Sequence, residues 1–173
     1  QKMENRNHKD SLFIDLFCKD KEGKQNFISL YNALHNTNLD LATTTVQEVN
    51  IENVLYMALS NDIAMLVDNR LVVLVEHQST INENMPLRLL EYISRIYEQL
   101  VPSEDRYEKK MIKIPYPEFF VFYNGTEDYP VETELRLSDA FIFPDEKYNV
   151  KSSDLTIEIK VKIININSDK QSP

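Results

Sequence analysis

Asp62, Glu76 and Gln78 are the side chains whose types and spacing could do chemistry. Asp62 opens the apolar segment Ile63 to Val67, and Glu76, His77 and Gln78 follow directly on the run Leu71-Val72-Val73-Leu74-Val75. Alternate side chains of a strand share a face, so Glu76 and Gln78 point one way and His77 the other. One carboxylate from each of two neighbouring strands, with a polar group beside them, is a seat for Mg²⁺. This cation takes oxygen ligands and completes its octahedron with water and substrate phosphate. It would polarise a phosphodiester and lower the pKa of an attacking water.

Register decides whether the two carboxylates meet. Asp68-Asn69 is turn chemistry, since both residue types tolerate the left-handed conformation. If these two residues alone form the hairpin loop, Val67 faces Arg70 and Asp62 faces Val75. Asp62 then shares a side with His77, and Glu76 points away. A three-residue loop (Asp68-Asn69-Arg70) or a bulge would bring Asp62 opposite Glu76 or Gln78, as the metal reading requires. A slip of one residue moves a whole strand to the other face.

The elements that must hold these residues follow from hydrophobic spacing. Leu12, Phe13, Leu16 and Phe17 predict a short helix. Lys19 to Lys24 reads as a charged break containing Gly23. Phe27, Leu30, Tyr31 and Leu34 predict a second helix ending at Asn36-Thr37-Asn38. Thr43 to Ile51 alternates as a strand. The β-branched run at 71–75 predicts a central strand covered on both faces. Pro86 opens a helix with an apolar stripe at 89, 90, 93, 96, 97 and 100 and a polar face at 88, 91, 95 and 98. Phe119 to Tyr123 reads as an apolar strand stopped by the turn Asn124-Gly125. Residues 126–153 read as loop with an apolar patch at 140–143. Leu155 to Ile166 alternates as a late strand. The order describes an α/β core with a mixed sheet.

Composition narrows the function. The 173 residues suit one domain, which needs neither disulfides nor a structural metal. With only Gly23 and Gly125, no glycine-rich phosphate loop can be written. One cysteine, Cys18, excludes a disulfide framework and a Cys-based zinc cluster. His8, His35 and His77 form no HExxH. The balance of 19 basic to 28 acidic residues, net −9, argues against a general polyanion binder. It leaves room for an enzyme that holds cations in a carboxylate site. No apolar run reaches membrane-span length, and the N-terminus has no apolar leader core, so a cytoplasmic protein without membrane contact is expected. Residues 1–9 read as a lead-in, 10–167 as the domain and 168–173 as a tail.

Three strings carry a resemblance: Asn61-Asp62-Ile63; Val73-Leu74-Val75-Glu76-His77-Gln78-Ser79-Thr80; and Met85-Pro86-Leu87-Arg88-Leu89-Leu90-Glu91-Tyr92-Ile93-Ser94-Arg95-Ile96-Tyr97. Together they resemble the PD-(D/E)XK nuclease superfamily, and within it the bacterial transposase and recombination-promoting nuclease (Rpn-like) branch. The similarity continues at Pro117 to Gly125 and covers most of residues 10 to 167. It implies a restriction-endonuclease-like mixed β-sheet flanked by helices. It implies a DNA endonuclease using Mg²⁺ or Mn²⁺, with Asp62, Glu76 and the His77 backbone carbonyl as metal ligands. Gln78 occupies the place of the motif's lysine. Glutamine orients a water or phosphate by hydrogen bonds and supplies no positive charge, so catalysis would lean on the metal. A first-helix acidic residue usual in the family has Asp15 as its nearest counterpart.

Arg88 and Arg95 are seven residues apart on one helix face, placed to meet DNA phosphates; Arg95 is equally placed to pair with Glu91. Cys18 reads as a small buried hydrophobe. Lys109, Lys110 and Lys113, interrupted by acids, read as a solvated face. The expected function is Mg²⁺-dependent hydrolysis of DNA linked to mobile elements or recombination, and a double-strand break would call for a homodimer. The alternative is a catalytically silent nuclease-fold interaction module, favoured by the net charge and by Gln78.

Overall fold

A computed structural model describes residues 12–50, 62–77 and 80–166. The lead-in 1–9, the tail 168–173 and Gln78 lie outside the described residues. Helices α1 (Leu12–Phe17) and α2 (Lys21–His35) are followed by strands β1 (Val46–Glu48), β2 (Ile63–Val67) and β3 (Arg70–His77). Helix α3 (Met85–Leu100) then leads to β4 (Tyr116–Tyr123), β5 (Glu132–Arg136) and β6 (Lys160–Asn165). The strands form one six-stranded sheet in the order β1-β2-β3-β4-β6-β5. β3, β4 and β6 run parallel, while β1, β2 and β5 run antiparallel to their neighbours. The expected α/β architecture, a mixed sheet flanked by helices as in restriction-endonuclease-like folds, is the one observed.

Each sheet face carries its own core. Val72 and Leu74 of β3 pack with Phe13, Phe17, Phe27, Ile28 and Tyr31 of α1 and α2. Leu71, Val73 and Val75 pack with Met85, Leu89, Tyr92 and Ile96 of α3. The unbroken apolar run of β3 is thus buried on both sides, as its lack of alternation requires. Burying one Leu or Met side chain in this way contributes about 1.5–3 kcal/mol. Pro86 stands in the first turn of α3. The buried stripe of α3 is centred on Leu89, Tyr92 and Ile96, so Leu90, Tyr97 and Leu100 pack at its margin.

The charged break before α2 is shorter than its composition predicts. Asp20 caps the helix, its Oδ1 accepting from the Gly23 N–H at 2.8 Å, so Gly23 lies in the first turn. Capping of this kind satisfies an otherwise orphaned helix donor. Gly23 is buried where α1 and α2 meet, and a Cβ there would lie 2.9 Å from the Phe17 carbonyl carbon. Alanine ordinarily favours a helix over glycine by about 1 kcal/mol. Here the backbone clash outweighs that gain. Gly23→Ala is expected to lower stability by about 1–3 kcal/mol, read as a reduced midpoint in urea; a higher midpoint would contradict the close approach.

β5 was not expected within the 126–153 segment. Its sequence Glu-Thr-Glu-Leu-Arg alternates exposed and half-buried positions at the edge of the sheet. Charged side chains on an edge strand discourage pairing with another chain. The final strand is shorter than its alternation implied, since residues 155–159 precede β6 outside any ladder. Among the described residues, no helix is long and apolar enough to cross a membrane.

Candidate functional site

The carboxyl ends of β3, β4 and β6 lie on one rim of the sheet, at His77, Tyr123 and Asn165. β2 runs the other way, so its amino end brings Asp62 to the same rim. Open α/β sheets bind ligands outside the carboxyl ends of their parallel strands. The helix that follows β3 begins here too, which places Arg88 in the second turn beside the strand ends.

The hairpin has the two-residue loop. Val67 pairs with Arg70 and Ile63 with Leu74, and Asp68 takes a left-handed φ of 51°. The Asp68 carboxylate accepts from the Thr45 N–H at 2.9 Å, and the Asp68 N–H donates to the Thr45 carbonyl at 2.9 Å. These bonds tie the turn to the segment entering β1. Neither the three-residue loop nor the bulge that would set Asp62 opposite Glu76 is formed. The expectation of convergence in that register is corrected accordingly.

Side-chain faces follow from this register. Glu76 pairs with Phe122 and alternates with Leu74, both on the α1–α2 face, so its half-buried carboxylate belongs to that side. His77 pairs with Tyr123 on the α3 face, and its Nε2 lies 3.2 Å from Met85 Sδ. Arg88 Nη1 lies 3.5 Å from the same sulfur. Asp62 joins this second group, because its charge acts on Arg88 and on Tyr92, both on α3. The structure therefore gathers Asp62, His77, Arg88 and Tyr92 on one face and leaves Glu76 on the other.

Asp62 is the anomalous group of the rim. It is 3 % exposed, and among the described residues its Oδ2 has no hydrogen-bond partner. Burial pushes its carboxyl from 3.8 up to about 7, against the opposing pull of the Arg88 guanidinium. Burial and Arg88 both hold the His77 imidazole below its usual value, so it is neutral near pH 7. The Tyr92 hydroxyl is also buried without a partner among the described residues, and it is pushed up by burial and by the Asp62 charge. Strongly perturbed groups that share a charge partner mark candidate functional sites.

The fit to a divalent cation is uneven. Asp62 offers one donor, its buried Oδ2 being without a hydrogen-bond partner among the described residues, although the Arg88 guanidinium already supplies it positive charge. Mg²⁺ is commonly held by one or two carboxylates with water and phosphate completing its shell. The other expected donors do not join Asp62. Glu76 lies across the sheet, and the His77 carbonyl accepts from the Asn124 N–H at 2.8 Å within the β3–β4 ladder. Among the described residues, no three His, Cys, Asp or Glu side chains group as a ligand set.

Other expected residues fall away from the rim chemistry. Arg95 is exposed and pairs with Glu98 at 3.2 Å, rather than with Glu91. Asp15 pairs with Lys19 on the surface of α1. Burial, with the Glu48 charge second, pushes the Cys18 thiol up to about 12, which removes it as a nucleophile. Lys109, Lys110 and Lys113 are exposed. Tyr92 is the polar residue that spacing did not single out. Its aromatic ring looks like core, and only the neighbouring buried acid gives its hydroxyl a meaning.

Comparison with protein-family models matches residues 7–167 to the family described as putative transposase, YhgA-like. No curated protein matches, and no solved structure matches.

Proposed function

This chain belongs to the YhgA-like putative transposase family, and on that premise we propose that it is a DNA endonuclease of the PD-(D/E)XK type serving a mobile element or recombination. The observation that carries the reading is the buried Asp62 oxygen at the carboxyl rim of the sheet, without a hydrogen-bond partner among the described residues and within the electrostatic reach of Arg88. The cofactor is Mg²⁺ or Mn²⁺, with Asp62 as its protein donor. When bound, such an ion polarises the scissile phosphodiester and acidifies water.

The chain's own residues supply the rest. Arg88 is half-buried at the start of α3 and offers a planar guanidinium to a phosphate oxygen. His77 and Arg88 both lie against the Met85 sulfur, which sets the imidazole and the guanidinium side by side at the strand end. Asp62 holds the ion in its ionised form, which the cation's charge favours against the burial that otherwise raises its carboxyl to about 7. A double-strand break needs two such centres, so the acting species is a homodimer.

A second reading has one specific observation in its favour. Glu76 and Asp62 occupy opposite faces, as they would in a nuclease fold kept as a silent interaction module. Incubation of the protein with supercoiled plasmid separates the two. The endonuclease gives nicked and linear product with Mg²⁺ or Mn²⁺ and none with a chelator. A folded protein that leaves the plasmid intact with either ion is the silent module. In the active protein, Glu76→Gln is expected to slow cleavage less than Asp62→Asn, because only Asp62 lies on the Arg88 face. Equal losses in the two variants would contradict that division.

A further inference from the structure

The segment joining α3 to β4 departs from the charge of the rest of the chain. Residues 106–113, Arg-Tyr-Glu-Lys-Lys-Met-Ile-Lys, carry four cations and one acid in a protein of net charge −9. Elsewhere Lys19, Arg95, Arg136, Lys147 and Lys162 pair with carboxylates. Among the described residues no carboxylate lies within ion-pair distance of Arg106, Lys109, Lys110 or Lys113, although Glu104, Asp105 and Glu108 are their neighbours in sequence. Apolar side chains stand in water between these cations: Tyr107 is 90 % exposed and Met111 77 %. The segment is nevertheless pinned in place. Arg106 Nη2 donates to the Glu98 and Val101 carbonyls, both at 3.1 Å, and closes the carboxyl end of α3. The Tyr97 hydroxyl donates to the Pro115 carbonyl at 2.7 Å, and the Tyr116 N–H donates to the Asn69 carbonyl at 2.8 Å. Between α3 and the segment lies an open groove of about 370 Å³, where Val101, Ile112 and Ile114 meet Tyr97, Glu98 and Arg106. Its volume is in the range of small-ligand sites.

We propose that this segment is a binding surface for single-stranded DNA, with Lys109, Lys110 and Lys113 meeting phosphates, Tyr107 stacking on a base and the groove beside α3 receiving another. Unneutralised cations interleaved with an exposed ring are the chemistry of single-strand recognition, in which the backbone follows the positive charge and bases stack on aromatics. An acidic polypeptide would use the lysines and leave the ring idle, and a duplex keeps its bases in the stack. Glu98 is the one acid lining the groove, and Arg95 pairs with it at 3.2 Å. The surface lies at the far end of α3 from Asp62. That helix has sixteen residues, which sets the two ends ~24 Å apart along its axis. The site therefore needs neither the carboxyl rim nor a metal, and it agrees with the endonuclease reading only in the class of its ligand.

Fluorescence anisotropy of a labelled twenty-nucleotide oligothymidylate tests this on the full chain, in chelator and over about 50 to 200 mM salt. Three variants are compared with the unaltered protein: Lys109, Lys110 and Lys113 all changed to Gln; Tyr107→Ala; and, as a control of equal net charge, the exposed Lys21, Lys24 and Lys151 all changed to Gln. The first is expected to bind at least tenfold more weakly, its slope of log affinity against log salt shallower by about 2, the value for three single-strand phosphates. Tyr107→Ala is expected to bind at least fivefold more weakly with the slope unchanged, as loss of one stacked base requires. The control keeps its affinity within twofold, and Tm is the same in all four proteins. Equal losses in the two triple variants overturn the proposal, since net charge alone would then govern binding. So does failure of the unaltered protein to bind at the lowest salt. Tighter binding of oligouridylate or of a duplex of equal length, or displacement of the probe by polyglutamate at matched charge, overturns it by assigning the surface to another ligand. Cleavage plays no part in this readout. A protein that holds oligothymidylate through this segment and cuts no plasmid overturns the endonuclease reading alone.

Discussion

Asp62→Asn is expected to make the protein more stable at pH 8 while removing DNA cleavage. The sign follows from the raised carboxyl. In the unfolded chain Asp62 ionises near 3.8, and in the folded protein near 7. Between these values the folded state binds the extra proton. The stabilisation is fully present below the unfolded value and is lost as pH rises through the folded one. Over that window the wild type loses about 4 kcal/mol from this residue. An amide of the same shape does not ionise and escapes the loss, less the cost of placing its own donors. Urea midpoints of the two proteins are thus expected to diverge from pH 4 to pH 8, with the variant ahead at the alkaline end. Cleavage by the variant is expected to fall by at least about 10²-fold, because an amide oxygen brings no negative charge to hold the ion that polarises the phosphodiester. Parallel pH profiles of stability would show that Asp62 is solvated like any surface acid.

Gly125→Ala is expected to damage the same rim by a steric route. Tyr123 is fully buried at the end of β4, and its hydroxyl accepts from the Glu127 N–H at 3.0 Å. The ring thereby folds over the turn that leaves the strand. A Cβ on residue 125 would stand 2.5 Å from the ring carbons Cε2 and Cζ. The backbone at this glycine does not have a positive φ, so the demand is for space and not for conformational freedom. A buried ring cannot swing aside without moving Tyr129, 5.5 Å away between ring centroids. The expected cost is about 1–3 kcal/mol. Thermal unfolding checks it, and near-ultraviolet dichroism reports whether the tyrosine pair has shifted. A variant with wild-type Tm and spectrum would mean that the turn opens freely.

What the sequence made legible divides along physical lines. The two-sided burial of β3 could be read from Leu71 to Val75 because an unbroken β-branched run has no polar face to expose. The helix after Pro86 was legible from its spacing, although its buried stripe is rotated toward Leu89 and Tyr92. β5 was not legible, because a charged edge strand lacks the apolar alternation that marks a half-buried one. Gly23 looked like a break in composition, while its actual role is to let α2 start hard against Phe17. The hairpin register was the decisive ambiguity. Asp68-Asn69 fits a two-residue loop and the start of a three-residue loop equally well, and only the ladder from Val67–Arg70 to Ile63–Leu74 distinguishes them. That single count moves Asp62 from the company of Glu76 to that of His77, Arg88 and Tyr92. Motif spacing singles out Asp62 but cannot say which face of the sheet it serves.

The most direct measurement is anomalous diffraction from crystals of the unaltered protein soaked in Mn²⁺. The account predicts a peak about 2.2 Å from Asp62 Oδ2, on the α3 side of the sheet and within reach of a phosphate held by Arg88. A peak ligated by Glu76 on the α1–α2 side, with none at Asp62, would contradict it.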